Sequence, residues 1–186
     1  AYPLRDETES ADDLVVRPRW EYHAIAADAP LGSNRQNAAM FTESVELYDL
    51  IYSTIRSYGA EAEQIDVRLR ELHPNCRTIL DVACGTGEHA RLLVESFGYE
   101  VDGLDLAPDF VRIAQSKLPD RQFVVGDMAA FHLERRYDAV ICLGSSIGYL
   151  LNLETVQRAF ECFRAHLSAN GVLIVEPWFP PEQMES

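Results

Sequence analysis

The chain is poor in basic residues. Lysine and arginine together number 16 against 30 aspartates and glutamates, a formal net charge of −14 over 186 residues. Gripping a phosphodiester backbone takes a surplus of cations, so nucleic acid is not expected as the main partner. Cysteine is scarce as well: Cys76, Cys84, Cys142 and Cys162 contain no C-x-x-C pair and make no zinc-type spacing with histidine. Neither a disulfide framework nor a metal centre is therefore expected, and free thiols suit a reducing, cytoplasmic setting. No apolar run approaches the length of a membrane span, and no signal-peptide pattern, internal repeat or low-complexity tract stands out. What is present is an ordinary apolar fraction of 47%, enough for one domain with a real core.

Residues 1–37 differ from the rest. They are acidic at the start, carry Pro3, Pro18 and Pro30, and show no sustained period. They read as a flexible leader or a remnant of expression, with Trp20 and Tyr22 leaving open a docking arm. Residues 38–186 read as the folded core. Two helices are expected over residues 38–73. Phe41, Val45, Tyr48, Ile51, Tyr52 and Ile55 recur at helical spacing in the first; Ile65, Leu69 and Leu72 share a face of the second.

Residues 77–178 then alternate. Strands are expected at 77–83, 101–105, 122–127, 137–144 and 172–176, and helices at 88–97, 108–118 and 153–167, with an Asn170-Gly171 turn before the last strand. Such alternation specifies an α/β, Rossmann-like, doubly wound and mostly parallel sheet covered on both faces. Ligands of such sheets lie at the carboxyl ends of the strands, and the chemically interesting residues fall there.

The first strand ends in Asp81 and the bend Ala83-Cys84-Gly85-Thr86-Gly87. Gly85 and Gly87 have no Cβ to keep a ligand off the backbone. The second strand ends in Asp105, eighteen residues beyond Gly87, where an acid accepts hydrogen bonds from ribose hydroxyls. Glycines and acid alone also fit a dinucleotide site. Asp81 separates the two: a carboxylate repels a pyrophosphate but favours an ammonium or a sulfonium. At the third strand end, Asp127 is placed to accept from an adenine amino group, with Met128 against the ring.

Asp-Val-Ala-Cys-Gly-Thr-Gly, Leu-Asp-Leu, Gly-Asp-Met and Tyr-Asp-Ala-Val together resemble the class I S-adenosylmethionine-dependent methyltransferases, over about residues 41–178. The Tyr48–Tyr52 and Tyr58–Ala62 stretches, with Ser145–Leu150 and Glu176–Trp178, resemble more narrowly the N,N-dimethyltransferases of nucleotide-linked amino sugars, which serve antibiotic pathways. The resemblance implies S-adenosylmethionine as cofactor, no metal, a small-molecule acceptor, and a seven-stranded sheet whose last two strands are antiparallel, under a β-rich lid. Those final strands and the lid have no counterpart before Ser186, so the fifth strand is expected to present an open edge.

By the same resemblance Asp81, Ala83, Gly85 and Gly87 line the methionine half of the cofactor. Asp105 and Leu106 take the ribose and the adenine face, and Asp127 and Met128 the adenine. Leu143 offers backbone contacts near the amino-acid end, and Tyr52 covers the sulfur or the acceptor. Tyr149 stands where some relatives carry a histidine. Tyrosine is a poor base near pH 7, so its expected role is to orient the amine while water takes the proton. His89 reads as a helix-end residue and His132 as exposed. The place after the fourth strand reads Leu-Gly-Ser-Ser, not the Asn/Asp-Pro-Pro-aromatic element of nucleobase methyltransferases. Methylation of another small metabolite, a nicotinamide-dependent oxidoreductase, a non-catalytic cofactor-binding module and a homodimer stay open at this stage.

Overall fold

The computed structural model describes residues 56–177 together with the backbone of Leu14–Val15. The expected first helix, Tyr52 and Trp178 lie outside the described residues. In chain order the elements are β1 (Leu14–Val15), α1 (Tyr58–Leu72), β2 (Thr78–Val82), α2 (Glu88–Phe97), β3 (Glu100–Asp105), α3 (Pro108–Lys117), β4 (Phe123–Val125), β5 (Tyr137–Cys142), a 3-10 turn (Ser146–Tyr149), α4 (Leu153–His166) and β6 (Leu167–Val175). The strands form a sheet in the order β1-β6-β5-β2-β3-β4, and each pair is parallel.

Two apolar layers cover the sheet, and the pleat assigns residues to them by alternation. Ile79 of β2 and Ala139 and Ile141 of β5 join Ala62, Leu69, Leu93 and Ala114 from α1, α2 and α3 on one face. Leu80, Val82, Val140 and Cys142 point the other way, onto Ala159 and Phe163 of α4. Leu72, expected on the inward face of α1, is its last residue and is 41% exposed. In α4 the inward face includes Ala159 and His166 besides Phe163.

Two local features depart from the sequence reading. The last strand begins at Leu167 rather than 172 and runs through Asn170-Gly171. Asn170 takes a left-handed backbone (φ 63°), and the register on β5 jumps from Tyr137↔Leu167 to Ala139↔Val172. The turn signal is thus a bulge that keeps both sides of the strand paired. The outer edge of β6 is also not open: Leu14 pairs with Leu173 and Val15 with Ile174. An edge of unpaired N–H and C=O groups accepts any extended segment that reaches it. The antiparallel pair implied by the resemblance is not found among the described residues. All four cysteines are free thiols, as expected.

Candidate active site

The bend after β2 is built from left-handed residues in near succession: Ala83 (φ 57°), Gly85 (φ 55°) and Gly87 (φ 76°). The Cys84 N–H bonds to the Leu104 carbonyl (3.0 Å) and the Gly87 N–H to the Cys84 carbonyl (3.0 Å), closing the bend against β3. The two glycines serve different ends. A Cβ on Gly87 would stand 2.8 Å from Ala114 Cβ, so this glycine lets α2 and α3 approach. A Cβ on Gly85 would meet nothing within 4 Å, so this glycine leaves an open cradle of bare backbone.

Asp105, at the end of β3, fastens the cradle. One of its oxygens accepts from the Gly85 N–H (2.8 Å) and the other from the Ala107 N–H (2.9 Å). A carboxylate has about four acceptor positions, which leaves capacity for a hydroxyl donor. Burial pushes the Asp105 carboxyl up, and the backbone N–H groups of Ala107, Gly85 and Leu106 pull against that shift. Asp81 is 2% exposed, and its Oδ2 has no hydrogen-bond partner. Burial, reinforced by the Asp105 charge, raises its pKa to about 8. A buried carboxyl oxygen with no donor is costly unless a ligand supplies one.

The other expected residues lie along the same carboxyl rim. Leu106 is exposed beside Asp105. Asp127 is exposed after β4 and accepts from the Ala129 N–H (2.9 Å), and Met128 is half-buried against the α4 face of the core. Leu143 follows β5, packed on the opposite core layer. Tyr149 ends the 3-10 turn, half-exposed. His132 is exposed, as expected, beside Glu134.

The sequence reading missed a polar network on that rim. Arg56 bonds Glu61 (2.9 Å) and Glu176 (3.2 Å). Glu61 also meets His89 Nε2 at 2.7 Å, and Glu176 accepts from the Gly144 N–H at 2.7 Å. Burial works against charge on Glu61, yet hydrogen bonds from His89 and Arg56, with their charges, outweigh it and hold the carboxyl down at about 2. His89 is therefore more than a helix-end residue: it ties α2 to α1 directly behind the glycine bend. The one local signal was an arginine five residues before a glutamate.

Residues 79–171 match the family described as methyltransferase domain. The chain belongs to the methyltransferase domain family. Over 141 residues this methyltransferase domain is 44% identical to a dTDP-3-amino-3,6-dideoxy-alpha-D-glucopyranose N,N-dimethyltransferase of Streptomyces fradiae, covering 75% of the chain and 55% of the relative. It is 40% identical to a dTDP-3-amino-3,4,6-trideoxy-alpha-D-glucopyranose N,N-dimethyltransferase of Streptomyces venezuelae, covering 75% and 59%. The chain thus spans somewhat over half the length of these relatives. Among solved structures it resembles Streptomyces venezuelae DesVI (TM-score 0.70, 40% identity, 74% of the chain and 58% of DesVI). It also resembles CalS10, a SAM-bound amino pentose methyltransferase of Micromonospora echinaspora involved in calicheamicin biosynthesis (TM-score 0.68, 35% identity, 73% and 58%). The α/β parallel sheet of this methyltransferase domain is the class I methyltransferase fold. Among the described residues no helix is long and apolar enough to cross a membrane, and no cluster of His, Cys, Asp or Glu is placed to hold a metal ion.

Proposed function

We propose that the chain binds S-adenosylmethionine across the carboxyl ends of β2, β3, β4 and β5 and methylates the amino group of a nucleotide-linked amino sugar. The observation that carries the cofactor is Asp81: a buried carboxyl oxygen with no hydrogen-bond partner beside an open glycine cradle is matched by a ligand bringing an ammonium and a sulfonium, cations that favour release of the proton the free protein holds near pH 7. The acceptor rests on the printed activities of the relatives, which are N,N-dimethyltransferases of dTDP-linked amino sugars.

In this reading Gly85 and Gly87 give backbone to the methionine half, with Asp81 and Ala83 behind it and Leu143 beside it. Arg56, on the same rim, would meet the carboxylate of that half. Asp105 would accept the ribose hydroxyls with the capacity left over from Gly85 and Ala107. Leu106 would cover the adenine, with Asp127 and Met128 at its edge, and Tyr52 would cover the reacting centre. When bound, the cofactor supplies a methyl group on a sulfonium, an excellent leaving group.

The chain then has to hold a neutral amine in line with that methyl group, which is a matter of position and orientation. In this reading Tyr149 orients the amine through its hydroxyl, and water takes the released proton. Cytoplasmic location and a homodimer belong to the same proposal. The test is an assay of the full chain with S-adenosylmethionine and a dTDP-amino sugar, read by mass spectrometry. Stepwise addition of methyl groups to the sugar supports the proposal. Cofactor binding without transfer to any amino sugar would leave a different acceptor or a non-catalytic module.

A further inference from the structure

Behind the rim, at the far end of α4, lies a buried histidine that none of the roles above uses. His166 is 2% exposed. Its Nε2 accepts from the Leu133 N–H at 2.8 Å, and its Nδ1–H donates to the Cys162 carbonyl at 2.7 Å. An acceptor at Nε2 and a donor at Nδ1 define one neutral tautomer with both nitrogens engaged. The ring also stacks on Phe131, with centroids 4.4 Å apart and an interplanar angle of 23°.

Leu133 and Phe131 belong to the connection between β4 and β5, which begins with Gly126-Asp127-Met128. Phe131 Cβ lies 3.7 Å from where a Cβ on Gly126 would stand. The connection has its own turn, with the Ala130 N–H on the Asp127 carbonyl and the Ala129 N–H on Asp127 Oδ1, both 2.9 Å. That turn is exposed at Asp127; Met128 and Ala129 pack on the α4 layer of the core and the Gly126 N–H bonds to the Asp105 carbonyl (2.9 Å), and His166 with Phe131 and Leu133 holds the stretch that follows. Ionisable neighbours on this connection include His132, 5.9 Å from His166 in a T-shaped arrangement, Glu134, 3.5 Å from His132, and Arg136, which donates to the Leu167 carbonyl at 2.9 Å.

The geometry points to His166 as a positioning residue for the adenosine end of the site. It acts through Leu133 and Phe131 to place Asp127 and Met128. The assignment of adenosine to this end rests on the proposed function; the placing of the turn does not.

The test uses the full chain, isotope-labelled, as wild type, His166→Phe and His166→Gln. Phenylalanine keeps a ring against Phe131 but removes the acceptor, leaving the Leu133 N–H without its side-chain partner; glutamine restores an acceptor near Nε2. In the ligand-free protein, His166→Phe is expected to shift the amide resonances of Asp127, Met128 and Ala129 while those of Gly85–Gly87 stay in place. Its affinity for adenosine should fall about tenfold, because the displaced turn no longer presents Asp127 and Met128 to the ligand, and His166→Gln should recover most of it. If His166→Phe does not fold, Phe131→Leu removes the stack from the other side and should move the same three amides. Unmoved Asp127–Ala129 amides, equal shifts at Gly85–Gly87, or a glutamine variant no better than phenylalanine would overturn the assignment. A wild type that binds neither adenosine nor S-adenosylmethionine would instead count against the proposed function, while the ligand-free amides still decide the positioning role.

Discussion

Replacing Asp81 with asparagine should remove most of a pH dependence built into the ligand-free protein. The native carboxyl has its pKa raised from 3.8 to about 8 by burial and by the charge of Asp105. Between those two values the folded state holds a proton that the unfolded chain has released, so native stability falls as pH rises across the interval. Below it, both states are protonated and the effect vanishes. Above it, the penalty is fully present and constant. Each pH unit within the interval costs about 1.4 kcal/mol, so roughly 3 kcal/mol separates pH 5 from pH 7. Asparagine has the same shape and no charge, and its stability carries no such slope. Urea unfolding of both proteins at pH 5, 6 and 7 isolates the contribution, since other titrating groups largely cancel in the difference. The stability gap should move by roughly 3 kcal/mol in favour of Asp81→Asn as pH rises over this range. Parallel curves would show Asp81 already ionised in the free protein and would refute the reasoning. The same proton should leave when a cationic ligand binds near pH 7, seen as a binding heat that depends on the buffer's ionisation enthalpy.

The two glycines of the bend should separate stability from binding. Gly87→Ala brings a Cβ to 2.8 Å of Ala114 at a positive φ and should destabilise by about 2 kcal/mol or more in thermal unfolding. Gly85→Ala meets open space and should cost only about 1 kcal/mol of strain, yet abolish measurable S-adenosylmethionine binding by calorimetry; normal binding would remove Gly85 from the cradle. Asp105→Ala should weaken that binding at least about tenfold, because it removes a charged acceptor and frees the Gly85 amide; unchanged affinity would exclude Asp105 from the site. Glu61, held down at about 2, contributes stability that is complete above its ordinary 4.5 and is lost as pH falls toward 2. Glu61→Gln should therefore flatten the acid limb of the stability curve, and an unchanged limb would contradict the network.

The strands and helices were legible because each carries its own local pattern. The apolar runs Ala139–Cys142 and Val172–Val175 are continuous enough to be read as buried on both faces, and Pro108 announces a helix start. The glycine bend and the acids at the ends of β2, β3 and β4 were legible because strand-end chemistry is local too. The Arg56–Glu61–His89–Glu176 network was not, since Arg56 and Glu176 stand 120 positions apart and meet only in three dimensions. For the same reason Asp81 could be selected from sequence, but not its lack of a donor at Oδ2. Asn170-Gly171 carries a turn signal that the pairing with β5 converts to a bulge, and the pairing of Leu14–Val15 with β6 leaves no trace in a two-residue stretch. His166 carries no signal of its own in the sequence, because the amide it accepts from, at Leu133, lies 33 positions back along the chain.

The most direct measurement is calorimetric titration of the full chain with S-adenosylmethionine and, in parallel, with NAD. Saturable binding of S-adenosylmethionine, with none of NAD, is the result these carboxylates and this bend predict. Binding of NAD with no uptake of S-adenosylmethionine would contradict it.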